Sequence, residues 1–425
     1  MGVEVTRLGN GITVATHDMP HLESVALGLW VGAGARSEAQ SEHGISHLLE
    51  HMAFKGTKRR SARDIAETIE AVGGEMNAET SVDHTTYYLR LLKGDIALGL
   101  DVLGDIVCDP LLDPDELALE RHVILQEIGA AHDVPEDWVF DLFQEAAFPG
   151  QAIGRSVLGT PDSIRAHTAD DLRRFLENHY RGPEIVVAAA GNLGHDAVVR
   201  LAEEHLGRLP GERSALPEAG HYAGGEQRET RRVKEAQILL GFGGPSFTDK
   251  NFAAAHIFSS ILGGGMASRL FQELRENRGL CYSIYSFYWP FMDTGLIGIQ
   301  TATSEEDIEE LVPVVLSELG KMSDGVTGAE LDRAKSQLRA GLLMTLESPI
   351  ARAGQMARHI LVHGRPLTLE EMLEKVDAVT LGDIAGVALS VLESPPTLAA
   401  IGPLGTLPGL GDITGQIKAN GGARP

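Results

Sequence analysis

The sequence repeats itself once over a long distance, and this repeat limits the folds that the chain can adopt. The landmarks are Leu27-Gly28-Leu29 recurring as Leu240-Gly241-Phe242, Asp95-Ile96 recurring as Asp307-Ile308, and Glu116-Leu117 recurring as Glu330-Leu331. Their offsets are 213, 212 and 214 positions, so three separate landmarks keep one register. This period is far longer than a solenoid repeat, and it therefore predicts two homologous globular halves.

Each half is predicted to mix helices and strands. Apolar runs or alternation predict strands at 12–16, 24–31, 85–92 and 185–190, and at 238–242, 296–301 and 397–401. A spacing of 3.6 predicts helices around Ile65–Val72, Ile96–Leu103 and Ile308–Leu319. Because strands and helices do not alternate regularly, the order favours an α+β fold with two α/β sandwich domains over a doubly wound sheet.

The domain boundary is predicted where the composition changes. From Pro210 to about Gly225 the chain concentrates proline, glycine and charge, which is typical of a linker. We therefore predict a first domain at 1–210, a linker at 211–228 and a second domain at 229–425.

Composition and charge narrow the classes of partner. The 425 residues carry 36 basic and 60 acidic side chains, a formal charge of −24 that disfavours nucleic acid and anionic membranes and attracts cationic peptides. Many acidic proteins carry such charge for solubility alone. Neither a run of 18 apolar residues nor a signal segment is visible, and Cys108 and Cys281 form no disulfide framework, so we expect a cytoplasmic protein.

The segment His47-Leu48-Leu49-Glu50-His51 carries the clearest chemistry. On a helix the two imidazoles would stand one turn apart on one face, with the Glu50 carboxylate beside them. They could supply two of the three protein ligands of a catalytic zinc ion, which leaves a fourth position for a water molecule whose proton Glu50 could take. This is the inverzincin order of residues. A His pair on a helix is more often a surface or capping pair, so the prediction depends on a third ligand.

A candidate for that ligand lies on a helix predicted around 118–130. Glu120 and Glu127 are seven residues apart, so they share nearly one face, and Glu127 follows His51 by 76 residues. The two carboxylates could also form an ordinary solvated helix face.

At this point the residues resemble the pitrilysin/insulinase family of zinc peptidases. In that family the third ligand is a Glu about this far downstream, with an acidic residue seven positions earlier. The resemblance implies one Zn²⁺ per chain held by His47, His51 and Glu127, with Glu50 as general base and Glu120 as a carboxylate behind the ligands. The segment 44–57 resembles the family's ligand helix and its exit. At the repeat offset, the metal positions become Ser260, Gly263, Gly264 and Gly341, so only the first half can hold zinc.

Two further segments resemble substrate-binding elements of the family. The stretch 77–88 resembles its active-site edge strand, which implies that Asn77 and Ala78 pair with an extended peptide through the main chain. A turn after Gly73-Gly74 is the alternative for Asn77. In the second half, Arg275 and Tyr282 resemble a pair that binds substrate: the guanidinium could hold a peptide carbonyl, and the phenol could donate to an oxyanion.

The remaining motifs are less specific. The glycines at 263–265 resemble the family's glycine-rich segment; a phosphate-binding loop is the rival interpretation, but the Lys-Ser/Thr ending of such loops is absent. Asp137 and Asp141 lie at distances matching acidic residues that bind an arginine of the substrate in the catalytic subunit of mitochondrial processing peptidase, although Glu is usual at the first position. Acids in the first helical turn after Pro135 are the alternative.

Taken together, the sequence predicts a zinc endopeptidase similar to the processing-peptidase branch. We expect it to cleave extended, basic, presequence-like peptides inside a chamber formed by a homodimer. The alternatives are a non-catalytic structural subunit of the kind built into respiratory complexes, and a catalytic subunit that needs a separate partner chain.

Overall fold

A computed structural model describes residues 2–421. The strands are β1 (Glu4–Arg7), β2 (Thr13–Asp18), β3 (Ser24–Val31), β4 (Glu75–Thr80), β5 (Thr85–Leu92), β6 (Ile185–Gly191), β7 (Gly225–Thr230), β8 (Ala236–Gly244), β9 (Ser283–Pro290), β10 (Gly295–Thr303) and β11 (Thr397–Gly402).

The α-helices are α1 (Ile45–Ala53), α2 (Ala62–Glu70), α3 (Ile96–Cys108), α4 (Pro114–Asp133), α5 (Pro135–Ala147), α6 (Pro161–Ala166), α7 (Ala169–His179), α8 (His195–Leu206), α9 (Phe252–Gly263), α10 (Ile308–Lys321), α11 (Gly328–Thr345), α12 (Pro349–His363), α13 (Leu369–Ala378), α14 (Leu381–Glu393) and α15 (Leu410–Gly421). A π-helix spans Phe271–Asn277. Within residues 2–421, no helix combines the length and the apolar character needed to span a bilayer.

The chain divides into two compact units that are not contiguous in sequence. The first unit contains the residues up to Gly129, then Arg155–Glu218 and Leu343–Leu367. The second contains Ala130–Gly154, Ala219–Leu342 and the residues from Thr368 onward. Each unit therefore includes one helix from the opposite half of the sequence, α12 in the first and α5 in the second. The domains predicted at 1–210 and 229–425 are contiguous in sequence and do not include this exchange of α5 and α12.

The first unit is built on one six-stranded sheet, ordered β1-β2-β6-β3-β5-β4. The β2–β6 pair is parallel and the other pairs are antiparallel. Along β3, Leu27 and Leu29 face the main core, whereas Trp30 faces a second cluster with residues of α12 such as Met356. Because helices cover both faces, the central strands are apolar at almost every position, which is why β3 was predicted with its observed bounds.

The second unit repeats this order with five strands, β7-β11-β8-β10-β9, again with one parallel pair, β7–β11. Here α5 packs against β7, β8 and β11. The match between the two sheets supports the duplication, and the predicted α+β class with two homologous domains is confirmed.

The repeated glycine has a packing reason in both units. A Cβ on Gly28 would lie 2.7 Å from the Trp30 ring, and a Cβ on Gly241 would lie 2.2 Å from the Phe143 ring of α5. Any larger residue at either position would displace an aromatic side chain from the sheet surface.

Several polar or mixed elements were not predicted as strands from their apolar pattern. Strand β7 covers the last four residues of the predicted linker 211–228, because its sequence, Gly-Glu-Gln-Arg-Glu-Thr, has no apolar side chain and resembles a loop. The edge strands β4 and β9 bound their sheets and carry polar or mixed sequences. Half-exposed edges have weak hydrophobic periodicity, which explains why β9 was not predicted and why β4 was expected only from the family resemblance of 77–88.

Candidate metal centre

Helix α1 carries the candidate metal-binding residues on one side and apolar packing residues on the other. Ile45, Leu48, Leu49 and Met52 are fully buried in the core of the first unit. The positions that remain partly accessible include His47, Glu50 and His51. The apolar side therefore fixes the rotation of the helix, and this rotation brings both imidazoles and the carboxylate to the same face.

The two imidazoles and Glu127 of α4 converge. The ring centroids of His47 and His51 are 4.6 Å apart. Glu127 Oε2 lies 3.9 Å from His47 Nε2 and 3.6 Å from His51 Nε2. Each residue offers a ligand atom within 4.8 Å of the others, and within residues 2–421 this is the one cluster of its kind. A tetrahedral zinc ion with bonds of about 2.0–2.2 Å needs ligand atoms roughly 3.3–3.6 Å apart, so the donor set fits zinc after small shifts.

The protonation state of His47 also suits a metal ligand. Its Nδ1 is buried and has no hydrogen-bond partner. Burial, together with the neighbouring His51, lowers the pKa of His47 to about 4. The ring is therefore neutral at neutral pH, which is the form that binds a metal ion.

Behind the cluster, Glu120 and Lys55 hold His51. Glu120 Oε2 accepts a hydrogen bond from His51 Nδ1 at 2.9 Å, which leaves Nε2 directed to Glu127 as the acceptor nitrogen. Lys55 Nζ lies 2.6 Å from Glu120 Oε1. Burial raises the pKa of Glu120, but the hydrogen bonds with Lys55 and His51 outweigh burial and lower it overall. Glu120 is thus a charged acceptor that fixes the tautomer of His51.

Glu50 has the surroundings of a base. Its Oε2 accepts a hydrogen bond from Thr80 Oγ1 at 2.6 Å. Burial raises the pKa of Glu50 above its ordinary value despite this hydrogen bond, and the nearby carboxylates of Glu127 and Glu79 act in the same direction. A carboxylate with a raised pKa is a better proton acceptor than an exposed one.

Thr80 and Lys55 were not assigned roles from the sequence. Lys55 follows His51 by four residues, the spacing of one helical turn, and Thr80 follows Ala78 by two, the spacing of one strand face. Both signals were available, but neither residue type alone indicates a role in a metal centre.

The two residues predicted to pair with a peptide lie on β4, at the end of the sheet. Asn77 pairs with Tyr88 and Ala78 with Tyr87, so Asn77 is in a strand and not in a turn. No strand within residues 2–421 pairs with the outer edge of β4. Asn77 Oδ1 accepts the Ala78 N–H at 2.8 Å. The edge is suited to adding a strand, and the pairing role stays a prediction.

In the second unit, Arg275 and Tyr282 are brought together. The guanidinium carbon of Arg275, on the π-helix, lies 5.0 Å from the Tyr282 ring centroid and 4.6 Å from that of Phe271. Tyr282 is 77% exposed. The rings hold the guanidinium by cation–π contacts, while the phenol is accessible to a ligand.

The acidic pair lies on α5 of the second unit. Asp137 is in the first turn after Pro135, as the helix-terminus alternative requires, whereas Asp141 is one turn further on. Glu127 belongs to the first unit. A role for the pair in binding arginine stays a prediction.

Comparison with known proteins is consistent with this geometry. Residues 13–161 match the family model described as insulinase (peptidase family M16), and residues 166–338 match the model of the peptidase M16 inactive domain. An uncharacterized zinc protease of Streptomyces coelicolor is 39% identical over 412 residues, covering 95% of this chain and 90% of that protein. The uncharacterized zinc protease YmxG of Bacillus subtilis is 33% identical over 401 residues, covering 94% and 98%.

Solved structures share the fold. A protease from Helicobacter pylori has a TM-score of 0.87 at 23% identity, covering 95% of this chain and 99% of that one. A chain of Complex III2 from Candida albicans has a TM-score of 0.85 at 22% identity, covering 98% and 100%. With both family models matched in chain order and relatives of more than 30% identity along nearly its whole length, the chain belongs to the insulinase family of peptidases, M16.

Proposed function

We propose that this chain is a zinc-dependent endopeptidase that hydrolyses extended, unfolded peptides. The observation that carries the proposal is the convergence of three ligand atoms from His47, His51 and Glu127 next to the Glu50 carboxylate. Relatives named zinc proteases support a metallopeptidase of this family.

Each residue of the centre has a task in peptide hydrolysis. A zinc ion held by the three ligands would act as a Lewis acid that polarises the scissile carbonyl and acidifies water. Glu50 takes the proton of the attacking water and later returns it to the departing amine. Glu120 and Lys55 keep His51 in the tautomer that the ligand role needs. Thr80, by donating to one oxygen of Glu50, leaves the other oxygen for the proton.

Recognition would come from main-chain and charged contacts. An extended peptide could add to the outer edge of β4 at Asn77 and Ala78, which suits unfolded segments better than folded proteins. Arg275 would bind a peptide carbonyl, and Tyr282 would donate a hydrogen bond to the oxyanion of the tetrahedral intermediate. The charge of −24 favours basic substrates.

The test is an assay of the purified chain, without other proteins, on a quenched peptide. We expect cleavage that a zinc chelator abolishes and that added zinc restores. Cleavage only after a second chain is added would support the partner-dependent alternative. Zinc binding without cleavage of any peptide would support the structural-subunit alternative, which the fold alone does not exclude because a chain of Complex III2 shares it.

A homodimer that encloses the site is the other part of the proposal, and it has its own test. We expect light scattering to give twice the mass of 45.5 kDa. Mixing inactive Glu50→Gln with Tyr282→Phe then distinguishes two designs. Activity recovered in the mixture means that one copy's second half completes the other's centre, whereas no recovery means that each copy uses its own.

A further inference from the structure

The strongest unassigned feature near the metal centre is the first turn of α1. The N-cap residue, Gly44, has no side chain that could accept hydrogen bonds from the free N–H groups at this end of the helix. The carboxylate of Glu38, six residues earlier in the chain, takes this role. Its Oε2 accepts a hydrogen bond from the N–H of Gly44 at 2.8 Å, and its Oε1 accepts one from the N–H of Ser46 at 2.9 Å. One carboxylate thus satisfies two of the four free donors.

Glu38 is itself held in place and is nearly inaccessible. It is 3% exposed, and the Arg155 guanidinium donates to its main-chain carbonyl and, at 2.8 Å, to Gln40 Oε1. Burial raises the pKa of Glu38 to about 7 although two backbone N–H groups lower it. A buried carboxyl group needs hydrogen-bond partners, and here the partners are two amides at the start of α1.

The surrounding loop leaves this turn little freedom. His43 Nε2 is 2.8 Å from the carbonyl oxygen of Ser156, and His167 Nε2 is 2.9 Å from the carbonyl oxygen of His43. Gly44 has φ +84°, and a Cβ on it would lie 2.7 Å from Gly159 Cα. The start of α1 is therefore fixed from several sides, and Glu38 is the one group among these that bonds directly to the amides of the helix.

We propose that Glu38 is a positioning residue for the metal centre: its carboxylate sets where α1 begins and thereby the placement of His47, the residue that follows Ser46. The apolar side of α1 fixes the rotation of the helix, but a helix can still shift or fray at an end whose amides lack partners. The inference rests on the proposed zinc site, and it assigns a role to a residue outside the ligand set. The ordinary alternative is that Glu38 merely stabilises the fold.

The test compares Glu38→Gln with Glu42→Gln in the full chain. The first change keeps the shape but replaces one acceptor oxygen by an amide nitrogen, so at most one of the two bonds survives. Glu42 is a matched control because its Oε2 also caps a backbone amide, that of Ala39 at 2.9 Å, in an exposed turn four residues away.

We expect three changes in Glu38→Gln and none of them in Glu42→Gln. The zinc dissociation constant should rise roughly 10-fold, as when groups behind metal ligands are removed. Turnover should fall about 10-fold with KM unchanged, because ligands and base are displaced while the peptide-binding edge is intact. Hydrogen exchange should accelerate in the peptide covering 40–48, in the metal-free protein as well.

The outcomes separate this inference from the proposed function. Wild-type zinc affinity and exchange in a folded Glu38→Gln would overturn it, and so would equal losses in both variants in proportion to their melting temperatures. If Glu38→Gln does not fold, Glu38→Asp decides: it keeps the carboxyl group but is too short to reach both amides, so a wild-type zinc affinity there would also overturn the inference. If the wild-type chain cleaves no peptide, the proposed function fails, yet zinc affinity and exchange still test the role of Glu38.

Discussion

The helix pair α1–α4 of the first unit and the pair α9–α11 of the second are equivalent by the sequence repeat, and the sheets of the two units share one strand order. The side chains between the two helices differ. In the first pair, two imidazoles face the carboxylate of Glu127, an arrangement that a bound cation would stabilise. In the second, Ser260 Oγ donates to Gln337 Oε1 at 3.1 Å, a neutral hydrogen bond between the two helices. Within residues 2–421, the candidate metal ligands are therefore found in the first unit and not at the equivalent places of the second.

The two helices also differ in burial at the place of Glu50. Helix α9 is buried at nine of its twelve positions, including Gly263 at the place equivalent to Glu50. Helix α1 keeps one side partly accessible at its three functional residues. At the places equivalent to His47 and His51, Ser260 is partly accessible and Gly264 is exposed. This face of the second unit therefore stays open, but none of these three positions carries an imidazole, thiolate or carboxylate that could bind a metal ion. The comparison predicts that substitutions at equivalent positions of the two halves have very different effects.

The largest effect is expected from the ligands. His47→Ala, His51→Ala and Glu127→Gln should each lower the zinc content from one per chain and reduce cleavage by at least about 10³-fold, because a three-ligand site loses a ligand outright. The matched change in the second half, Ser260→Ala, should leave zinc and activity unchanged. Metal analysis and peptide hydrolysis measure both. If Ser260→Ala loses zinc, or a ligand variant retains it, the division between the halves is wrong.

Glu50→Gln should separate metal binding from catalysis. The change removes the base but no ligand, so zinc and the melting temperature should be retained while turnover falls by about 10²–10⁴-fold. The hydrogen bond from Thr80 can still be accepted by the amide oxygen. A variant that loses its zinc would show that Glu50 supports the metal, and a fully active one would show that the base is another group.

An intermediate effect is expected from the second half. Arg275→Ala and Tyr282→Phe should retain zinc yet reduce turnover roughly 10- to 1000-fold if the phenol supports the oxyanion. Phe271→Leu is a suitable control because it removes one of the two rings on the Arg275 guanidinium and leaves the phenol in place. Wild-type kinetics in both principal variants would exclude this half from catalysis.

A smaller and selective effect is expected from the acidic pair on α5. Asp141→Asn should weaken cleavage of arginine-containing peptides some 10- to 100-fold more than that of their norleucine analogues, since a lost charged contact is worth about 1.5–3 kcal/mol. Raised salt should slow cleavage of the arginine peptides selectively. Equal loss on both substrates would remove the processing-type specificity and leave the peptidase proposal in place.

The sequence predicted those elements best whose local residue pattern matches their burial in the fold. Strand β3 was predicted with its observed bounds because both of its faces are buried, and the His47, Glu50 and His51 side chains converge because a helix fixes the spacing of its residues. The exchange of α5 and α12 was not predicted, since both helices have ordinary amphipathic sequences that do not specify which sheet they cover.

The missed residues of the centre depend on distant neighbours. Glu38 lies in a loop, and its sequence gives no sign that its carboxylate reaches the amides of Gly44 and Ser46. Lys55 has a helical spacing from His51, but its partner Glu120 lies 65 residues further on in the chain. Such contacts arise from the tertiary fold, and the local sequence around each residue does not indicate them.

The smallest expected effect concerns acid stability of the first unit in the metal-free protein. Burial is the main cause that lowers the pKa of both His47 and His84 to about 4, from a usual value of 6.5. The fold therefore favours the neutral rings, and their contribution is fully present above pH 6.5 and is lost as the pH falls toward 4. We expect each ring to account for about 1–3 kcal/mol of the free energy of unfolding over this window.

Urea unfolding at several pH values measures this free energy. The variant His84→Asn, whose side chain can still bond to Ser81 Oγ, should show a weaker dependence of the free energy on pH. An unchanged dependence in that variant would mean that the acid-sensitive groups lie elsewhere than in the β4–β5 turn.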